Sequence, residues 1–179
     1  MSLRLIRLIA TLSMLVMLVS CAPSKWESYK YEGNSLTIGV IGTTPNVLED
    51  NITFKDIDIN SLKNELKFGS YDAIVITKDS FEQASDSKHV NIYTESHIPF
   101  VFIESEKSYL PFISKDHDYK SAPLVDSLAH AILYFHNDNG EVITKKYSLY
   151  NDERTERNIN EVYSRVFYTV EEISNSPLN

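Results

Sequence analysis

Apolar residues fall into several kinds of run along this chain, and each kind predicts a different element. Leu36-Thr37-Ile38-Gly39-Val40-Ile41-Gly42, Tyr71-Asp72-Ala73-Ile74-Val75-Ile76-Thr77 and Ile98-Pro99-Phe100-Val101-Phe102-Ile103 are β-branched or aromatic almost throughout. Such runs read as strands. They lack polar alternation, which predicts burial on both faces, as in parallel sheets. Between the first two, Ile59, Leu62 and Leu66 share one helical face with the stem of Lys63. Asp58 or Asn60 is placed to cap that helix, and Gly69 to close it in the left-handed conformation. Residues 51–57 add a short extended piece, and Asp79 or Ser80 starts a short helix containing Phe81 and Ala84. Val90 to Tyr93 reads as a minor strand. Strands separated by helices form βαβ units, which predict a parallel sheet with right-handed crossovers.

The later half changes period. Residues 104–122 are polar and aromatic without periodicity and read as loop. Leu124, Leu128, Ala131, Ile132 and Phe135 fit a helical stripe, but Asn139-Gly140 ahead of Val142-Ile143-Thr144 is a hairpin signal. The balance favours a hairpin pairing 128–136 with 141–149. Ile159, Val162, Tyr163, Val166, Phe167, Val170 and Ile173 then recur at helical spacing on one face. This last helix is expected to start near Asn151 or Asp152 and to end between Asn175 and Pro177. The fold class is therefore α/β: a central, mostly parallel sheet with flanking helices, a later β-hairpin and a C-terminal amphipathic helix.

The first residues follow another logic. Arg4 and Arg7 precede an apolar run from Leu8 to Val19 that closes on Cys21, the one cysteine of the chain. A membrane-spanning helix needs about 20 apolar residues, and this run is shorter. A positive segment followed by about 7–15 apolar residues and a small residue describes a secretory signal. Leu18-Val19-Ser20-Cys21 resembles the lipobox of bacterial lipoproteins at all four positions. The resemblance implies a diacylglyceryl group on the Cys21 thiol and a mature chain that begins there. Two acyl chains anchor a protein stably where one does not. The expected organisation is a signal peptide over 1–20, a lipidated N-terminus and tether over 21–34, and a single α/β domain over 35–179. Trp26, Tyr29 and Tyr31 in the tether can meet the membrane interface or pack on the domain. Tyr147-Ser148-Leu149-Tyr150-Asn151-Asp152 through Val162-Tyr163-Ser164-Arg165 is, in addition, similar to small uncharacterised lipoproteins of Bacillus-like bacteria. That likeness implies a class and a compartment, the extracytoplasmic face of the cell membrane, and no activity.

Charge narrows the partners. Cleavage before Cys21 removes two of the 17 basic side chains and none of the 25 acidic ones, leaving a net charge near −10. An acidic surface repels nucleic acid and anionic headgroups, so the membrane link rests on the lipid and nucleic acid is excluded as a partner. With Cys21 acylated, disulfides, thiol catalysis and cysteine-ligated metals are excluded too.

Candidate chemistry is sparse. His89, His97, His117, His130 and His136 form no two-histidine metal signature on a helix, and no metal or cofactor is implied. On paired strands His130 and His136 stand about 20 Å apart, too far to share an ion. There is no Gly-x-Ser-x-Gly elbow. Gly39-Val40-Ile41-Gly42 lacks the third glycine and the lysine of phosphate-binding loops. Glu104 and Glu106 are two carboxylates on an acidic loop with no further sign of glycoside hydrolysis. One expectation has a physical basis. Open α/β sheets bind ligands at the carboxyl ends of their parallel strands, which here carry Thr43, Thr44 and Asn46, then Thr77, Lys78 and Ser80, then Glu104 and Ser105. Three functions follow. The leading one is a module that binds an envelope protein through Tyr109, Tyr119, Tyr134, Tyr147, Tyr150 and Tyr163, a residue type enriched at interfaces. The second is a receptor for a small polar ligand at the strand ends. The third is an envelope hydrolase, for which no signature is present, so the reading leans away from an enzyme.

Overall fold

The structure, a computed structural model, describes residues 29–125, 129–137 and 139–175. The signal segment, Cys21 and residues 22–28 of the tether lie outside the described residues, as do Leu128, Asp138 and Pro177. The strands are β1 (Leu36–Ile41), β2 (Ile52–Asp56), β3 (Ala73–Thr77), β4 (Phe100–Ile103), β5 (Ala129–His136) and β6 (Val142–Ser148). The helices are α1 (Leu62–Phe68), the single turns α2 (Phe81–Ala84) and α4 (Leu110–Ile113) on either side of α3 (Val90–Glu95), and the long α5 (Glu156–Asn175). One sheet runs β2-β1-β3-β4-β5-β6. Its first four strands are parallel; β5 and β6 are antiparallel to their neighbours. This is the α/β architecture read from the sequence, hairpin and C-terminal helix included.

Burial on both sheet faces explains the unbroken apolar runs. Ile38, Val75, Val101, Ile103 and Leu133 face Val162, Val166, Phe167 and Val170 of α5. The alternate residues Ile74, Ile76, Phe100, Phe102 and Tyr134 face Leu62, Phe81, Tyr93 and Phe112 of the four shorter helices. Edge strand β2 is covered less completely, and Thr53, Lys55 and Asp56 are exposed. The hairpin turns at Asn137, whose carbonyl accepts from Gly140 N at 2.9 Å and whose side chain accepts from Glu141 N at 2.8 Å. Gly140 supplies the positive φ of 77° that the turn needs. Over 129–136 the strand is adopted and not the helical alternative.

Several local expectations differ. Val90 to Tyr93 is the start of α3 and not a strand. Asp86 accepts from Lys88 N at 3.0 Å and nucleates the preceding turn. Val90 and Tyr93, three apart, are both buried, and the Tyr93 hydroxyl reaches Ala84 O at 2.8 Å. Tertiary burial overrides the strand preference of the β-branched residues. Within the predicted loop 104–122, Phe112 of α4 stacks on Phe102 at 4.0 Å between ring centroids. Gly69 ends α1 in an extended conformation, φ −88°, with its N–H on Glu65 O at 2.6 Å, and not as a left-handed cap. α5 starts at Glu156, because a tight turn over Tyr150–Asp152 occupies its expected first residues.

The packed body also takes in the last residues of the stretch read as tether. Tyr31 is buried, its ring edge-on to Phe167 and Tyr168, and its N–H donates to Glu49 Oε1 at 3.2 Å. The same buried carboxylate accepts from Ser164 Oγ at 2.5 Å, so it ties this segment to α5. The six tyrosines proposed as an interface serve the fold as well. Tyr134, Tyr147 and Tyr163 are buried, Tyr109 and Tyr119 are half-buried against the core, and Tyr150 is exposed. Aromatic exposure therefore gives no argument for a protein partner on that half. Among the described residues no helix is long and apolar enough to cross a membrane.

Candidate functional site

The chain leaves β1 for β2 on one side and then crosses to β3 on the other. The loops after β1 and β3 therefore diverge at the carboxyl ends of adjacent parallel strands, the place where an open α/β sheet leaves a ligand crevice. Such a crevice is present, about 340 Å³ in volume and lined by Thr43, Thr44, Pro45, Asn46, Thr77, Lys78, Asp79, Ile103, Glu104 and Tyr163. Of the residues expected there, Thr43, Thr44, Asn46, Thr77, Lys78 and Glu104 line it. Ser80 and Ser105 do not. Ser80 ends the turn that leads into α2. Ser105 is buried, with its hydroxyl on Lys107 O at 2.7 Å.

One wall is a hydrogen-bonded weld between strand ends. Gly42, at φ 104°, turns the chain out of β1, and Thr43 N donates to Thr77 Oγ1 at 2.9 Å. Thr77 Oγ1 donates to Asp79 Oδ1 at 2.6 Å, and Thr43 Oγ1 to Asp79 Oδ2 at 3.0 Å. The hydrogen bond from Thr77, joined by those from Thr43, outweighs burial and holds the Asp79 carboxyl below the usual carboxylate range. Thr44 Oγ1 donates to Asp56 Oδ1 at 2.7 Å, tying in the end of β2.

The opposite wall is ionic. Lys78 Nζ lies 2.8 Å from Glu104 Oε2, and Arg154 Nη2 pairs with Glu104 Oε1. Burial would raise the Glu104 carboxyl, but the hydrogen bonds and charges of Lys78 and Arg154 outweigh it and set it below its ordinary value. Glu104 is itself in the left-handed region, φ 61°, with its N–H on His130 O at 2.7 Å. Asn151 and Asp152, just before Arg154, have φ of 51° and 58°. These three are the non-glycine residues of positive φ among the described residues, and all lie in two of the three segments that form the ionic wall, those of Glu104 and Arg154. Such a conformation costs on the order of 1–3 kcal/mol at a residue like Glu104, and less for Asn and Asp. Exposed ion pairs contribute about 0–1 kcal/mol, and the Lys78 and Arg154 side chains are 67% and 57% exposed. Stability alone does not account for this wall, and strain of this kind concentrates at functional sites.

Behind the ionic wall sits His130. The register of β5 against β6 shifts between Ala129 and Ala131, and such a bulge re-aims the side chain it carries. The imidazole meets the Tyr163 ring edge-on at 6.1 Å, and its Nε2 has no hydrogen-bond partner within the protein. Burial lowers its pKa, Glu104 opposes and Arg154 and Lys78 assist, so the net direction is down. Burial, reinforced by Glu104, pushes the Tyr163 hydroxyl up to about 12. Both are neutral near neutral pH.

The arrangement suits binding. The Thr43 and Thr77 hydroxyls are committed to Asp79, whose lowered pKa makes it a poor base, and both Glu104 oxygens are held by cations. No nucleophile stands against an activated base among the lining residues. Among the described residues no group of three or more His, Cys, Asp or Glu side chains could hold a metal ion. His117 and Asp118 border an acidic depression of about 380 Å³ with Glu82, Asp86 and Asp116, but the Asp118 carboxylate is taken by Ser121 at 2.6 Å. A larger groove, about 810 Å³, runs between α1 and α3 over Leu66, Ile92 and Ile98. Its rim of solvated lysines has no interlocked polar set like that at the strand ends, so size and chemistry point to different places and the chemistry decides.

Arg154 carries no local signal in the sequence. Asp79 reads there only as the start of a helix, although it adjoins Lys78 and lies within reach of the strand-end rule. Tyr163 reads as a residue of the helical stripe and an interface tyrosine, and His130 as a histidine without a metal partner; neither reading places them at the strand ends.

The two buried histidines predict a pH dependence. Burial comes first among the causes that depress the pKa of His89, as it does for His130. The unfolded chain takes up these protons near the ordinary value of 6.5, the native state only at lower pH. Stability is therefore full above about 6.5 and falls as pH drops through the native values, because the unfolded state binds more protons there. The urea midpoint is expected to fall from about pH 7 to about pH 5, with a shallower slope in His130→Phe. An equal slope in that variant would contradict a buried neutral His130.

No protein-family model matches the chain, and no curated protein and no solved structure matches it.

Proposed function

We propose that this chain is a lipid-anchored lipoprotein of the extracytoplasmic membrane face, and that its α/β domain is a receptor for a small polar ligand. The observation that carries the receptor reading is the convergence of six strand-end residues from three separate segments on one crevice, with their hydroxyls and charges interlocked. Its volume, about 340 Å³, lies at the low end of the roughly 300–1,000 Å³ of small-molecule sites, so the ligand is metabolite-sized. Asn46 and Tyr163 suit hydrogen bonding, and Lys78, Glu104 and the Arg154 paired with it supply charge.

The anchor reading rests on Leu18-Val19-Ser20-Cys21. Seven residues separate Cys21 from Tyr29, and extended chain spans about 3.3–3.6 Å per residue. The receptor would therefore sit within roughly 30 Å of its lipid. A tether of that length would keep the domain near the membrane surface.

The test uses the full chain purified in detergent. Thermal unfolding is followed against a panel of sugars, amino acids, carboxylates and phosphates. A ligand at a hundred times its dissociation constant adds about 2.7 kcal/mol, and the shift should vanish in Thr44→Ala/Lys78→Ala/Glu104→Ala. A flat panel, or a shift that the triple variant retains, overturns the receptor reading. Labelling of cells with a fatty acid should mark the wild type and not Cys21→Ala; equal labelling overturns the anchor.

A further inference from the structure

We propose that the ligand of the crevice is an anion, bearing a carboxylate or a phosphate, and that Glu104 occupies the anion's place until the ligand displaces it. The inference rests on the receptor reading and narrows its ligand class. Lys78 and Arg154, 76 residues apart in sequence, meet on the two separate oxygens of one carboxylate, at 2.8 Å for Lys78. Two cations converging on adjacent oxygens form the arrangement in which a bound carboxylate or phosphate is recognised. Here the carboxylate belongs to the chain itself.

Three features make it exchangeable. The backbone of Glu104 is fixed independently of its side chain, because the residue lies at the end of β4 and its N–H donates to His130 O at 2.7 Å. The side chain can therefore swing out without unravelling the strand end. Both cations are more than half exposed, so an incoming anion reaches them from solvent. Arg154 lies just after the two left-handed residues Asn151 and Asp152, and its guanidinium meets the Glu104 carboxylate, which itself lines the crevice. With Glu104 displaced, two positive charges face the ligand, while Asp79 on the far wall is already engaged by Thr43 and Thr77.

An internal competitor lowers apparent affinity by the fraction of time the site is closed. Removing it should therefore tighten anion binding without new contacts. Calorimetric titration of inorganic phosphate, succinate and glucose into detergent-purified full chain tests this with wild type and Glu104→Gln. Glu104→Gln is expected to bind phosphate or succinate about tenfold or more tightly than the wild type, with glucose unaffected, and Arg154→Ala added to it should abolish the gain. A preference for phosphate or for succinate identifies which anion the site is built for. Glu104→Gly, which relieves the left-handed strain and also removes the carboxylate, should give the same gain and decides the matter if the glutamine variant fails to fold. Anion affinity that is unchanged or weaker in both variants overturns the inference. If neutral metabolites still shift the wild type's unfolding in that case, the receptor reading stands alone; if nothing does, that reading falls as well.

Discussion

Replacing Phe102 with alanine is expected to remove about 3–5 kcal/mol of folding stability. Phe102 is fully buried on β4. Its ring stacks on Phe112 at 4.0 Å and meets Tyr93 edge-on at 6.3 Å and Phe81 at 6.5 Å. It is thus the sheet residue on which α2, α3 and α4 all rest. Truncation loses the transfer free energy of a large ring, and it opens a cavity that three short helices cannot fill without losing their own contacts. A domain holds about 5–15 kcal/mol in total, so the loss is a large part of the whole. In urea the midpoint should fall steeply with the slope unchanged. Phe102→Leu, which retains most of the volume, should cost far less. A midpoint within experimental error of wild type for Phe102→Ala would mean that the aromatic cluster does not hold the helices to the sheet.

Phe102 also shows why the sheet was legible and its cover was not. The runs of β1, β3 and β4 announce themselves because both faces are buried, so nearly every position is apolar over several residues. The hairpin announces itself through one dipeptide, Asn139-Gly140, that a tight turn requires. By contrast, α4 is four residues long, too short to display a helical period, and its place is set by Phe112 finding Phe102. Val90 to Tyr93 carries the composition of a strand, yet its burial partners lie on a helix-covered face, and packing decides against propensity. Tyr31 sits in a polar stretch and is buried by Phe167 and Tyr168, residues that no window around Tyr31 contains.

The candidate site divides along the same line. The strand-end rule locates Thr43, Thr44, Asn46, Thr77, Lys78 and Glu104 because it follows from the sheet alone. It overreaches at Ser105, since the left-handed Glu104 redirects the chain and turns that serine inward onto Lys107. Arg154 is 50 residues from the carboxylate it pairs with, and Tyr163 reaches the crevice from α5, which belongs to the opposite sheet face. Such groups are visible once the layers are stacked and not before.

The residue on which the crevice itself depends is Gly42, and Gly42→Ala should separate site from scaffold. Its φ of 104° lies where alanine is strained, a cost on the order of 1–3 kcal/mol. A Cβ there would also collide with Thr77 Oγ1 and stand 2.7 Å from Asp79 Oδ1 and 2.9 Å from Ser80 Oγ. The atoms that must give way are the ones that weld the β1 loop to the β3 loop, so the substitution strikes the crevice wall directly. Gly140→Ala is the matched control. It too has a positive φ, 77°, but a Cβ there meets nothing within 4 Å, so it bears the backbone strain alone, in an exposed hairpin turn. Both variants are expected to unfold at lower temperature than wild type, Gly42→Ala the more so. The ligand-induced rise in unfolding temperature should survive in Gly140→Ala and disappear in Gly42→Ala. If the two variants lose stability equally and both keep that rise, the loop after β1 is a connector between strands, and the binding surface lies elsewhere on the domain.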